Sequence, residues 1–135
     1  MNAIRPLALR LPPGEDLRTA LDARMVKDDI GAACVLSCSG SLNSATVRFA
    51  GEPELTMLVG PFEIVSLSGT LSKAGSHMNI AISDQEGKVV GGHVKEGCSI
   101  NTTVEIVIGI LDGIDFAREL DPFTGFRELA VRDKS

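Results

Sequence analysis

Residues 76–95 have the sequence SHMNIAISDQEGKVVGGHVK, in which a turn separates two alternating segments. Met78, Ile80 and Ile82 alternate with small or polar residues, which is typical of a half-buried strand. The sequence of residues 84–87, DQEG, favours a type I turn followed by a glycine bulge, because glycine readily adopts the left-handed conformation that a three-residue loop needs. The stretch therefore predicts a β-hairpin.

The turn also predicts the register of the two strands. A three-residue loop pairs apolar residues with apolar or small ones, whereas a two-residue loop would place Met78 opposite His93 and mix polar with apolar side chains. Because a slip by one residue exchanges the two faces of a strand, the hydrophobic pattern independently favours the three-residue loop. The expected pairs are Asp84 with Lys88, Ile82 with Val90, Ile80 with Gly92, and Asn79 with His93.

This register gathers the two histidines of the chain on one face of the hairpin. Directly opposed residues have Cβ atoms about 5 Å apart, so we expect His77, Asn79 and His93 to converge. They form an incomplete ligand set for Zn²⁺ or another divalent metal. Gly91 and Gly92 remove side-chain bulk beside them, as expected where a ligand or another chain approaches. Alternatively, both histidines only form hydrogen bonds at a sheet edge or a subunit contact.

Two carboxylates are further candidates for a ligand or subunit contact. Glu63 shares strand parity with the apolar Val65 and Leu67, and a carboxylate buried in that row would need a partner. Glu105 lies on the opposite face of its strand from Ile106 and would approach the histidines if the strands were neighbours. The simpler alternative for both is exposure to water, since Glu is seldom buried.

The rest of the chain predicts an α+β domain. Residues 4–11 alternate as a first strand, and Glu15 and Asp16 precede an apolar stripe at helical spacing that Gly31 would end. From residue 32 onward the period is two. We expect one main helix on one face of a mainly antiparallel sheet of seven or eight strands. Further strands are expected near residues 32–39, 44–50, 55–59, 62–72, 102–111 and 127–132, and residues 112–122 form a short helix or another strand.

The predicted sheet carries apolar side chains on both faces. In residues 102–111, Val104, Ile106 and Ile108 make one apolar row, while Val107 adds apolar area to the other. One helix cannot cover both faces, so we expect a homo-oligomer that buries the remainder between subunits. The alternative is that residues 112–122 and the C-terminal tail cover it.

Composition and charge limit the classes of function. The 135 residues fit a single domain, residues 1–135. Thirteen Lys and Arg against eighteen Asp and Glu give a net charge of −5, which makes direct DNA binding doubtful. Three cysteines without CxxC spacing favour a reducing compartment, and no segment has the roughly 18 apolar residues that a membrane span needs. We therefore expect a cytoplasmic protein without membrane association.

Several blocks, taken in order, resemble the plant and prokaryote conserved (PPC) domain in its stand-alone bacterial form without an AT-hook. The resemblance implies an α+β domain that assembles as a homotrimer and contacts partner proteins through Phe62-Glu63-Ile64. Bacterial relatives typically show His-x-His followed by Gly-Gly-His, which resembles a metal-binding cluster at the subunit junction. Here Asn79 replaces the second histidine, and an amide is a weaker ligand for a transition metal. The blocks are RLPPGED (10–16), SCSGSL (37–42), FEIVSLSGT (62–70), GSHMNI (75–80), GGH (91–93) and TVEI (103–106).

These observations support three hypotheses about function. The first is a homotrimeric, non-catalytic regulatory module that binds a metal or small ligand at the face of His77, Asn79 and His93. The second, suggested by the family, is a DNA-associated transcriptional regulator that acts through a partner or a local basic patch. The third is a metal-dependent hydrolase in which Glu63 or Glu105 is the general base. The sequence favours a non-catalytic role, because it shows no GxSxG elbow and no phosphate-binding loop.

Overall fold

The computed structural model describes residues 3–134, which form eight strands and one helix. The elements are β1 (Ile4–Leu11), α1 (Leu17–Lys27), β2 (Ala33–Arg48), β3 (Thr56–Leu71), β4 (His77–Ser83), β5 (Val89–Val94), β6 (Ile100–Leu111), β7 (Ile114–Leu120) and β8 (Arg127–Asp133). Six strands form an antiparallel sheet in the order β1-β6-β2-β3-β4-β5, and β7 pairs with β8 separately. The predicted α+β class is confirmed, but the strands form two sheets and not one.

The main sheet curls because β2 borders three strands. One edge of β2 pairs with β3, while the other edge pairs first with β6 and then, at Val47 and Arg48, with Val94 and His93 of β5. Since β5 is also joined to β3 through β4, this last pairing closes β2, β3, β4 and β5 into a ring. The interior of the ring is the hydrophobic core, which includes Leu42, Val47, Phe62, Ile80, Ile82 and Val94.

The helix α1 packs its apolar stripe into this core, as the sequence predicted. Asp16 is the N-cap, because one carboxylate oxygen accepts a hydrogen bond from Thr19 N at 2.9 Å. The other accepts from Gly97 N and Cys98 N at 2.8 and 2.7 Å. Partial burial would raise the pKa of Asp16, but these backbone hydrogen bonds outweigh it and lower the pKa. The buried helix side chains are Leu17, Leu21 and Met25.

The end of α1 differs from the prediction. Asp29, and not Gly31, adopts the left-handed conformation (φ 52°), and Ile30 N donates to Met25 O at 2.9 Å to close the last turn. Gly31 has a different role, because a Cβ atom there would collide with the carboxylate of Asp115. In the described part of the chain, no helix is long and apolar enough to cross a membrane.

Glycines inside β2 and β3 explain why the strand boundaries were wrong. A Cβ atom on Gly60 would lie 2.8 Å from the carbonyl oxygen of Leu42, and one on Gly40 would collide with the backbone of Thr103 and Val104. These glycines allow neighbouring strands to approach and do not end the strands, which continue through β-bulges. The predicted strands 32–39 and 44–50 are therefore both part of β2, and 55–59 and 62–72 are both part of β3.

Strands β7 and β8 form a hairpin, residues 114–133, that we call the arm. It settles the prediction for residues 112–122 in favour of a strand. Phe116 N donates to Gly31 O at 2.9 Å, and Arg118 Nη2 donates to Thr70 Oγ1 at 3.3 Å. The arm therefore lies against part of the outer face of the sheet. Coverage of this face by residues 112–122 and the C-terminal tail was the predicted alternative to a homo-oligomer. The arm leaves apolar side chains of its own exposed, since Phe123 is 97% exposed.

Candidate functional site

The β4–β5 hairpin has the predicted register. Asp84 N donates to Lys88 O at 2.9 Å, and Gly87 has the positive φ of 80° that the three-residue loop requires. The Cα pairing places Asn79 opposite His93 and Ile80 opposite Gly92. The polar face of the hairpin therefore points outward, and its apolar face points into the core.

The structure brings the two histidines into direct contact. The ring centroids of His77 and His93 are 4.8 Å apart and the ring planes are inclined by 25°, so the imidazoles are stacked. His77 and Asn79 are exposed, while His93 is half-buried. The predicted convergence of these three side chains on one spot is thus confirmed as geometry.

Three positively charged side chains surround this spot, and the sequence analysis did not identify them. Arg48 is paired directly with His93, and Lys95 follows His93 by two residues on the same face of the chain. Arg18 reaches over from α1, with Nη1 3.5 Å from Val94 O. The position of Lys95 is readable from alternation, but Arg48 and Arg18 approach through pairings between distant parts of the chain.

Burial and these neighbours together keep His93 neutral at pH 7. Burial is the largest cause that lowers the pKa of His93, and Lys95, His77, Arg48 and Arg18 lower it further, to about 4. The pKa of Lys95 is also lowered, by burial and by the two arginines. A neutral imidazole donates one hydrogen bond through one nitrogen and offers a lone pair at the other.

A cavity of about 960 Å³ opens beside the histidines. Its walls include Arg48, Asn79 and His93, the loop of residues 49–53 and, from the arm, Phe126. Small-molecule sites typically have volumes of about 300–1,000 Å³, so this one is large enough for a metabolite. It lies on the face that the sequence analysis singled out.

The two predicted glycines line the same cavity. A Cβ atom on Gly91 would lie 2.5 Å from Ile80 O, and one on Gly92 would lie 2.8 Å from Arg48 O. The close approach that these glycines permit is therefore made by neighbouring strands of the same chain. Because glycine has no side chain, the backbone of Gly91 itself lines the cavity next to His93.

The predicted carboxylates lie elsewhere. A β-bulge between Ile64 and Ser66 breaks the parity of β3, so Glu63 does not share a buried row with Leu67 and is exposed. Glu63 lies opposite Ser83, at the far end of β4 from His77. Glu105 is exposed on β6, between β1 and β2, and β2 and β3 separate it from β4. Both side chains are exposed in the single chain, and a ligand or subunit contact there stays a prediction.

The family model described as the Plants and Prokaryotes Conserved (PCC) domain matches residues 1–112. The chain belongs to this family. The match confirms the resemblance to the PPC domain that the sequence blocks indicated. The arm lies beyond the residues that the PCC family model covers.

Solved structures show the same fold. A hypothetical protein from Salmonella cholerae-suis superimposes with a TM-score of 0.97 at 38% identity, over 100% of this chain and 98% of that one. A metal-containing protein from Archaeoglobus fulgidus gives a TM-score of 0.83 at 26% identity, over 96% of each chain. Both cover nearly the whole of this PCC-family chain, so the arm is part of the shared architecture.

Curated relatives are much longer proteins. The chain is 40% identical over 130 residues to the bifunctional protein GlmU of Synechococcus sp. (strain JA-3-3Ab), covering 96% of this chain and 21% of that protein. It is 29% identical over 116 residues to the AT-hook motif nuclear-localized protein 13 of Arabidopsis thaliana, covering 77% and 26%. The chain thus spans about a fifth to a quarter of the length of these relatives.

Within the described residues, one chain supplies too few donor atoms at this face for a zinc site. Zn²⁺ in proteins usually takes three or four nitrogen, sulfur or carboxylate ligands. Within residues 3–134 no group of three His, Cys, Asp or Glu side chains is placed to hold a metal. His77 and His93 supply two imidazoles and Asn79 a neutral amide, and the charged residues nearest His93 are cations. A metal here would therefore need ligands from outside the chain.

We expect acid to destabilise the protein through His93. Its pKa is about 4 in the folded chain against 6.5 for an ordinary histidine, so between these values the unfolded chain binds a proton that the folded chain does not. The free energy of unfolding should therefore decrease as the pH falls from 6.5 to 4. Denaturant unfolding at several pH values should show a smaller decrease for His93→Gln, and parallel curves for the two proteins would contradict this.

Proposed function

We propose that this PCC-family chain is a non-catalytic regulatory module that acts in the cytoplasm as a homotrimer. Its function is to bind a small ligand, or a divalent metal such as Zn²⁺, at the face formed by His77, Asn79 and His93. The observation that carries this proposal is the cavity of about 960 Å³ that opens directly beside the stacked histidines.

The chemistry of the other candidate groups supports a binding role over the hydrolase hypothesis. Glu63 and Glu105, the proposed general bases, both lie away from His93. Burial raises the pKa of Cys38 to about 11, so this thiol is protonated at pH 7 and is a poor nucleophile. This arrangement supports a binding role over hydrolysis at the histidine face.

Exposed apolar side chains support self-association. Met57 and Val59 alternate on β3 and are 81% and 88% exposed. Contiguous exposed apolar area of this kind is favourable to bury between subunits. We propose that this row contributes to the contact between three copies of the chain.

Light scattering at micromolar concentration should therefore give about three times the 14.2 kDa mass of one chain. Introducing charge into the row, as Met57→Glu with Val59→Glu, should lower this mass, because unpaired carboxylates are costly to bury. Gln85→Glu, which adds a charge at an exposed polar position in the turn of the hairpin, is the matched control and should leave the mass unchanged. A wild-type mass of 14.2 kDa would refute the oligomer.

If the ligand is a metal ion, we propose that His77 and His93 are two of its ligands and that the remaining ligands come from another copy of the chain or from water. Elemental analysis of trimeric protein purified without chelators should then find up to about one metal per chain, lost in His93→Ala. Gln85→Ala, in the turn of the hairpin, is the control and should retain the metal. The absence of metal from the wild type would leave the small-ligand form as the proposal.

Association with DNA is the second candidate function, because relatives include AT-hook motif nuclear-localized proteins. With a net charge of −5, we propose that such a role is indirect and depends on a protein partner. The segment Phe62-Glu63-Ile64 would offer that partner mainly Glu63, since Phe62 and Ile64 are buried in the core.

A gel shift at low salt with an A·T-rich duplex tests this point. Because phosphate contacts dominate affinity for DNA and are strongest at low salt, direct binding would be most visible there. We expect no retardation by the chain alone at micromolar concentration. Retardation that salt abolishes would show that direct binding occurs in spite of the net charge.

A further inference from the structure

Three basic side chains lie around His93, at the edge of the cavity, although the chain as a whole is acidic. The protein carries five more acidic than basic residues, yet Arg18, Arg48 and Lys95 all act on His93. Among the ion pairs of residues 3–134, none involves Arg48 or Lys95, and the partner of Arg18 is Asp22 at 3.6 Å. Like charges held this close repel one another, and an anion bound between them would relieve that repulsion.

The cavity also offers hydrogen-bond donors in the right place. Arg48 and Asn79 line it together with His93, and the guanidinium fork of an arginine matches the oxygens of a phosphate or carboxylate. Within the described residues, the side chains of these three residues take part in none of the hydrogen bonds found. Glu52 also lines the cavity, but it is exposed in the loop after β2, where water screens its charge.

An aromatic wall faces these donors. Phe49 follows Arg48 directly, and Phe126 comes from the arm and is 68% exposed. A large exposed aromatic side chain beside a cavity gains free energy when a ligand covers it. The volume of about 960 Å³ exceeds what an inorganic anion would fill and leaves room for an apolar group beside Phe126.

We propose that this cavity binds a small organic anion, whose phosphate or carboxylate group is held by Arg48, Asn79 and His93 and whose ring or apolar part lies against Phe126. The proposal deepens the proposed function and rests on it, because the ligand site is the same face. It assigns Arg48 to ligand binding and Phe126 to the selection of the apolar part. Lys95 and Arg18 add positive potential without lining the cavity.

Calorimetric titration of the full chain at low salt tests this assignment. The probes are phenyl phosphate, benzoate, inorganic phosphate, the neutral benzyl alcohol and an A·T-rich duplex. We expect phenyl phosphate or benzoate to bind more tightly than benzyl alcohol, and the better of the two identifies the charged group. Their affinity should decrease as salt is added, since screening weakens charge pairing.

Variants then locate the contacts. Arg48→Gln should weaken the better anion by about tenfold or more, because a charge-assisted hydrogen bond is lost. Lys88→Gln removes the same charge from the exposed turn of the hairpin and should have no effect. Phe126→Ala should weaken phenyl phosphate but not inorganic phosphate. If Arg48→Gln fails to fold, as judged by thermal unfolding, Lys95→Gln takes its place with a smaller expected loss.

The outcomes separate this proposal from the proposed function. Binding of benzyl alcohol as tight as that of the anions, or an anion affinity unchanged in Arg48→Gln, would overturn the anion site and leave a binding module of different specificity. Binding of the duplex alone would also overturn it, in favour of a phosphate-backbone site. If none of the probes binds, and Zn²⁺ does not bind either, both proposals fail.

Discussion

The pairing of Val47 and Arg48 with Val94 and His93 is the contact on which the rest of the structure depends. It returns the last strand of the curled sheet to β2 and so encloses the core. It also explains Gly92, since a side chain there would meet the carbonyl oxygen of Arg48. Because directly paired residues share a face, the same backbone contact sets a guanidinium beside an imidazole. The pairing that closes the sheet is therefore the same pairing that places Arg48 beside His93 in the candidate site.

The features that the sequence predicted well are local ones. The hairpin register followed from alternation and a four-residue turn, and α1 followed from Leu17, Leu21 and Met25. The strand boundaries predicted at Gly40 and Gly60 were wrong. A glycine that allows a neighbouring strand to approach closely cannot be distinguished in the sequence from a glycine in a turn that ends a strand. For the site, His77, Asn79 and His93 could be found from one hairpin. Arg48, Arg18 and Phe126 could not, since their approach depends on pairings between distant segments.

Net charge was a weak guide to the chemistry of this surface. A value of −5 averages over the whole chain, whereas a ligand responds to charges within about 10 Å, the screening length at moderate salt. The charged groups that act on His93 are Lys95, Arg48 and Arg18, all of them basic. A metal ion at the same face would depend on ligands from another copy, since within residues 3–134 no group of three ligating side chains is placed to hold it.

The arm is continuous in sequence, follows the residues that define the family and supplies one wall of the cavity. The opposite wall, from Arg48 to His93, is built into the closed sheet and is constrained by the packing of the core. The cavity is thus divided between two units of the fold. The wall with Arg48 and His93 is held by closure of the sheet, and the wall with Phe126 is held by the docking of the arm.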